Sequence, residues 1–441
     1  MFRLSEAALL DAVDVLSPPS LRLPYDPASR RPPVKGSKLS GEVEGPVSNA
    51  LADVLQRNAA RRDGKVADYI PELASADPDD FGIAVVSVLG RTYAAGDSTK
   101  AFTIQSISKP FVYALALSEL GLDEVSRHVG FEPSGEPFNA ISLEPTTGRP
   151  ANPLINAGAI VTSALITGNA QTRFTRIRET LSAFAGHELE LDERVYRSEA
   201  ATGNRNRALA YLTLAGGALS RSVEDATDVY FRQCSLLVSA IDLAVMAATL
   251  GNAGVNPVTG VEVIREDVAR HTMAVMATCG MYDNSGEWMV RVGLPAKSGV
   301  GGGIVAVQPA EFGIGVYSPP LDSRGNSSRG VATLEDMSAE FHLHMLAHPK
   351  NPRSPILSST RDGDVHTIKL LGELDFVATE QVVHHVRELA SDNDAAVLIV
   401  RVDLTNVTTI RPVAERLLAA AAAGLATGGI TFEVVDPAHV A

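Results

Sequence analysis

The hydrophobic pattern changes character three times along the chain. Glu6 to Leu16 carries Leu9, Leu10, Val13 and Leu16 on one side and reads as a single amphipathic helix. Pro18, Pro19, Pro24, Pro27, Pro32 and Pro33 follow, a density that suits an extended arm better than a packed element. Helical spacing begins with Val47, Leu51, Val54 and Leu55. Phe81 to Tyr93 reads as two short strands about a turn at Leu89-Gly90-Arg91, and Ser106 to Leu120 as a helix. The middle is helical, including Ala208–Leu219 and Ala240–Leu250, and strand patterning returns at Ile304–Val307 and Phe312–Tyr317. Strands at both ends of a helical middle predict one α+β domain whose sheet draws on both ends of the segment. Beyond a Pro- and Ser-rich stretch the pattern becomes regular. A strand at Val365–Leu371 precedes a helix at Ala378–Ala390, then an apolar strand at Ala395–Val402, a helix at Arg411–Ala423 and a strand at Ile430–Val435. The predicted organisation is an N-terminal extension at 1–40, a main body at 41–348, a linker at 349–360 and a small β-α-β-α-β domain at 361–441.

Composition narrows the function classes. The chain has 441 residues, 38 Lys plus Arg against 52 Asp plus Glu, and a net charge of −14. An acidic surface argues against nucleic acid or anionic lipid as the main partner. No run approaches the roughly 18 apolar residues of a membrane helix, and Glu6, Asp11 and Asp14 interrupt the first apolar run, unlike a signal peptide. Cys234 and Cys279 provide neither a disulfide framework nor metal spacing. His342, His344, His384 and His385 fall on expected helices without a third ligand, so they read as surface or core. The expectation is a soluble, cytoplasmic protein without a metal or organic cofactor.

Two of the eight lysines carry candidate chemistry. In Phe102-Thr103-Ile104-Gln105-Ser106-Ile107-Ser108-Lys109-Pro110, Ser106 and Lys109 are three apart at a helix start and share a face. Pro110 fits a first turn. A serine hydroxyl needs a base, and a lysine kept from water has its pKa lowered enough to be one. The plainer reading makes Ser106 an N-cap and Lys109 a surface charge. One Ser-x-x-Lys match arises by chance in roughly every second chain of this length. Lys297-Ser298-Gly299 opens a glycine-rich run before Ile304, and a Lys-Ser/Thr-Gly triplet on a late strand accompanies Ser-x-x-Lys in the penicillin-recognising serine enzymes. Glycines there let a ligand approach backbone N–H groups that can hold an oxyanion. A phosphate loop fits poorly, because Ala296 precedes the lysine and a strand follows. The Ser-Asp-Asn element of the penicillin-recognising set is missing.

Polar clusters at Tyr69, Asn156, Glu199, Asn204-Arg205-Asn206, Tyr230 and Tyr282 suit a small zwitterionic substrate. Plainer roles stay open: Asn156 as a helix cap, Tyr230 as core, Arg205 with Glu199 as an ion pair.

These stretches, with Tyr69-Ile-Pro71, Gln105-Ser106-x-Ser108-Lys109, Asn152-Pro153-x-x-Asn156-Ala157-Gly158-Ala159, Ser198-Glu199, Gly203-x-Arg205-Asn206, Cys279-Gly280-Met281-Tyr282 and Leu294-Pro295-Ala296-Lys297-Ser298-Gly299-Val300, resemble the serine-dependent glutaminases in order over Gly41 to His348. The resemblance implies a β-lactamase-like fold and hydrolysis of L-glutamine to L-glutamate and ammonia without a cofactor. It implies Ser106 as nucleophile, Lys109 as its base, and Tyr69 and Tyr282 as proton-shuttling tyrosines. The backbone N–H groups of Ser106 and Val300 become an oxyanion hole. Asn156, Glu199, Asn206, Tyr230 and Tyr282 become substrate contacts, with Glu199 on the α-ammonium group. Lys297 would tune charge or support its strand. Asn204 departs from the Asp of many relatives at a flanking position. A homo-oligomer, often a tetramer, is also implied. Gly372-Glu373-Leu374-Asp375-Phe376 and Asp403 to Ile410 resemble the STAS domains of anti-sigma-factor antagonists and sulfate transporters. Arg411-Pro412 stands where regulatory members carry a phosphorylated serine, so a docking or oligomer-supporting role, or binding of a protein or small ligand, is the expectation for this domain.

Overall fold

A computed structural model describes residues 46–135, 143–347, 354–391 and 398–435. The N-terminal helix and Pro-rich arm expected before residue 41 lie outside these residues. The chain divides into two compact units, Met1–Ala347 and His348–Ala441.

In the first unit, β1 (Gly82–Ser87) and β2 (Thr92–Gly96) form the hairpin expected around Gly90. β3 (Phe102–Thr103) pairs with β4 (Leu237–Val238), and β5 (Ala296–Ser298), β6 (Gly303–Gln308) and β7 (Phe312–Tyr317) complete the unit. The main sheet has five strands in the order β2-β1-β7-β6-β5, every neighbour antiparallel. It therefore joins strands from both ends of the unit, the mixed α+β arrangement that strand patterning at the two ends predicts.

Alternation along β6 divides the core. Val305 and Val307 face the cluster containing Phe111, Leu243 and Met246, whereas Ile304 and Ala306 face the one containing Leu51, Trp288 and Leu334. Both faces of the sheet are covered by helices. Helix Ala240–Gly251 is apolar nearly all round, as a fully buried helix must be, and a Ser239/Asp242 capping box fixes its start. A third cluster joins helices Asn156–Leu165, Asn204–Ala215 and Val223–Cys234 through Ile160, Leu209 and Phe231. The pair His342 and His344 lies just past helix Ser328–Phe341 and not within it, because His342 takes a left-handed conformation that ends the helix.

The second unit holds β8 (Ile356–Asp362), β9 (Val365–Leu374), β10 (Ile399–Ile410) and β11 (Thr431–Val435) in the order β11-β10-β9-β8. β9, β10 and β11 are parallel and linked through helices Phe376–Ser391 and Pro412–Thr427. β8 corrects the reading of 349–360 as linker: Ile356–Asp362 pairs antiparallel with β9. As an edge strand with largely exposed side chains, it carries little of the apolar alternation that marks a strand in sequence. β10 also differs from the apolar run expected there. It alternates, with Val400, Val402 and Leu404 buried and Arg401 paired to Glu433 at 2.8 Å.

Candidate active site

The chain leaves β3, turns through a short 3₁₀ segment at Gln105–Ile107 and continues as helix Ser108–Leu120. Gln105 makes the bend with φ +48°, an uncommon conformation for a residue with a side chain. Ser106 emerges on this turn, 6% exposed. Every residue from Ser108 to Leu117 is buried, so the apolar helix carries Lys109 into the protein interior with it.

Lys109 is 1% exposed and has no carboxylate in ion-pair contact among the described residues. Its Nζ donates to Asn156 Oδ1 at 2.7 Å and to the Leu154 carbonyl at 3.2 Å. Desolvation lowers its pKa to about 7, which favours the neutral amine near physiological pH. The surface-charge reading of Lys109 is thus excluded.

Asn156 occupies the first turn of helix Asn156–Leu165, and its side chain does not cap that helix. It links three groups instead. Its Oδ1 accepts from Lys109 and, at 3.4 Å, from Tyr230 Oη, while its Nδ2 donates to Asn206 Oδ1 at 2.9 Å. Glu199, buried on helix Glu193–Thr202, accepts from Tyr69 Oη at 2.8 Å and is also supported by Gln105. Burial raises its pKa and these two donors partly offset the rise. Arg205 is exposed on the next helix. Tyr69 is 50% exposed as a residue, yet its hydroxyl end is enclosed against Glu199, and its pKa is raised by desolvation first and by that carboxylate second.

The glycine run after Lys297 brings β5 and β6 against the Ser106 turn. A Cβ on Gly301 would stand 2.7 Å from the Thr103 carbonyl, so only glycine allows this approach. Val300 packs with Ile70, Leu73 and Val195, which ties the segments bearing Tyr69, Glu199 and Lys297 together. Tyr282, itself left-handed at φ +59°, donates to the Ser298 carbonyl at 2.9 Å and lies within hydrogen-bonding reach of Ser106. Lys297 is fully buried, donates to the same carbonyl at 2.6 Å and lies 3.9 Å from the centroid of the Tyr282 ring.

Three further groups were not singled out from sequence. Gln105 reaches Glu199, Gln233 donates to Ser108 Oγ at 3.1 Å, and Cys234 lies against Lys109 and Tyr230 with its thiol pushed up to about 12 by burial. Gln105 stands inside a motif quoted above, and Gln233 and Cys234 lie on the helix of Tyr230; apart from Tyr230, one turn before Cys234, their partners are too distant in sequence for spacing to find. Among the described residues no group of three or more His, Cys, Asp or Glu is arranged to hold a metal ion, and no helix is long and apolar enough to cross a membrane.

Comparison with known proteins places this geometry in context. A family model described as Glutaminase matches residues 64–346. Glutaminase 2 of Bradyrhizobium diazoefficiens is 44% identical over 426 residues, covering 91% of this chain and 68% of its own length. The glutaminase of Corynebacterium glutamicum is 41% identical over 398 residues, covering 90% of this chain and 95% of its own. That of Microcystis aeruginosa is 51% identical over 309 residues, 70% of this chain and 91% of its own. A crystal structure of Mglu superposes with a TM-score of 0.83 at 40% identity over 90% of this chain and 100% of that one, and another shows Mglu in its glutamate form.

Proposed function

This chain belongs to the glutaminase family and is a glutaminase enzyme, and from that premise we propose that it hydrolyses L-glutamine through a Ser106–Lys109 dyad and a γ-glutamyl ester. Ser106 Oγ attacks the side-chain amide carbon as Lys109 Nζ takes the hydroxyl proton. The oxyanion is held by the backbone N–H groups of Ser106 and Val300. Tyr282 Oη, beside Ser106, orients the hydroxyl for attack; the C–N bond then breaks, ammonia departs with the proton that Lys109 took, and the ester remains on Ser106. Water then attacks the ester, the same base takes its proton, and L-glutamate leaves as the hydroxyl re-forms. Glu199, oriented by Tyr69, receives the α-ammonium group, and Asn156, Asn206 and Tyr230 bind the rest of the amino acid. The glutamate form of Mglu supports an amino-acid product in such a site.

The observation that carries this reading is Lys109: a buried amine with hydrogen-bond acceptors but, among the described residues, no counter-charge, one turn from a buried serine. The main body is read as β-lactamase-like, supported by the antiparallel sheet built from both ends and by the Ser-x-x-Lys and Lys-Ser-Gly elements. The second unit is read as a STAS-type docking module, supported by its parallel β9-β10-β11 core and two crossover helices. A cytoplasmic homotetramer remains the family-based expectation. Ser106→Ala tests the mechanism: ammonia release from glutamine should vanish while the circular dichroism spectrum stays that of the parent, and turnover near the parent rate would exclude the serine route.

A further inference from the structure

The mechanism above assigns nothing to Lys297, although this residue lies at its centre. The side chain is fully buried on β5, and among the described residues no carboxylate lies within ion-pair distance. Burial, with the neighbouring Lys109 second, pushes its pKa well below the ordinary lysine value. A methionine would fill similar space without the cost of desolvating an amine, so packing alone does not account for a lysine here.

The Ser298 carbonyl accepts two hydrogen bonds, from Lys297 Nζ at 2.6 Å and from Tyr282 Oη at 2.9 Å. A carbonyl oxygen has two lone pairs, so both are used. Tyr282 has one hydroxyl proton, and it is committed to Ser298. Toward Ser106, Tyr282 Oη therefore presents a lone pair, and the Ser106 hydroxyl is the donor of that contact. The Tyr282 backbone is left-handed, a conformation that persists only where the surroundings enforce it. Lys297 supplies part of that enforcement, since its Nζ closes over the aromatic ring at 3.9 Å from the centroid.

We propose that Lys297 is a positioning residue for glutamine hydrolysis: by donating to the Ser298 carbonyl and covering the ring of Tyr282, it fixes the Tyr282 hydroxyl with an acceptor lone pair toward Ser106. The inference rests on the serine mechanism proposed above. It also distinguishes Lys297 from Lys109, which takes the proton when the Ser106 hydroxyl turns from Tyr282 Oη toward the amine at attack.

The test is a double-mutant cycle on the full-length protein with glutamate release as readout. Lys297→Met should lower kcat about 10²-fold, the scale of loss expected for a misplaced catalytic group, with KM within about threefold of the parent. Tyr282→Phe should also lower kcat, and adding Lys297→Met to it should cost less than about threefold more, because the tyrosine is then no longer there to be positioned. Lys297→Gln, which keeps an N–H donor, should recover part of the loss. The proposal is overturned if Lys297→Met keeps parental kcat, if it raises KM while kcat holds, or if its full loss recurs in the Tyr282→Phe background. Should Lys297→Met fail to fold by circular dichroism, the cycle is run with Lys297→Gln, and failure of both variants to fold makes Lys297 a stability residue and overturns the proposal too. Full kcat in Tyr282→Phe alone would instead count against the tyrosine's place in the serine mechanism.

Discussion

The buried amine of Lys109 makes a quantitative prediction about pH. Its proton leaves at about 7, against 10.5 for an ordinary lysine, because the apolar helix start withholds water from the charged form. At pH 7 about half of the molecules then carry the free base. A solvated lysine would be neutral in roughly one molecule in three thousand. The gain in available base is about 10³-fold, equivalent to about 4 kcal/mol. With glutamate release followed from pH 5 to 9, kcat/KM should rise with pH, fall about tenfold per unit on the acid side, and level off above about 7. The same burial has a stability signature of fixed sign. The folded-state pKa lies below the unfolded one, so the penalty is fully present below pH 7 and disappears as pH rises to 10.5. Lys109→Met should therefore abolish turnover and narrow its stability deficit, or exceed the parent, at pH 6 relative to pH 10, as measured by urea unfolding. A flat rate profile from pH 5 to 9, or a parent and variant whose stability difference is the same at both pH values, would refute the reasoning.

Other perturbations probe other parts of the site. Glu199→Gln removes the buried carboxylate proposed to meet the α-ammonium group and should raise KM for glutamine by about 10- to 10²-fold, with a smaller effect on kcat, in steady-state assays. Gly158→Ala would drive a Cβ into the Asn152 backbone carbonyl at the helix that carries Asn156, and should cost at least about 2 kcal/mol in urea unfolding together with activity. Residues 1–347 expressed alone should hydrolyse glutamine, since the Microcystis relative is covered to 91% by a match of 309 residues; an inactive but folded product in the glutamate assay would show that activity needs the second unit.

What the sequence made legible was local or repetitive. The spacing of Ser106 and Lys109 puts both at the entrance to one helix, although Ser106 stands on the 3₁₀ turn before it, and the glycine run after Lys297 marks a close backbone approach. The expected strands at Ile304–Val307 and Phe312–Tyr317 lie within β6 and β7, short apolar runs buried on both faces of the sheet. What remained hidden depends on distance in sequence or on unusual backbone. Tyr69 and Glu199 are 130 residues apart, and no periodicity pairs them. Gln105 and Tyr282 adopt left-handed conformations without being glycine, so the bends that aim Ser106 and the tyrosine hydroxyl carry no compositional signal. β8 escaped because an exposed edge strand needs few apolar residues. The shared carbonyl of Ser298 joins side chains only once β5 is folded against the Tyr282 turn.

The most direct test of the whole account is to stop turnover of L-glutamine with acid on the millisecond scale and locate any covalent adduct by mass spectrometry. A γ-glutamyl group carried on the peptide containing Ser106, and absent from Ser106→Ala, is the predicted result. Rapid turnover with no adduct at Ser106 at any quench time, or an adduct on another residue, would contradict it.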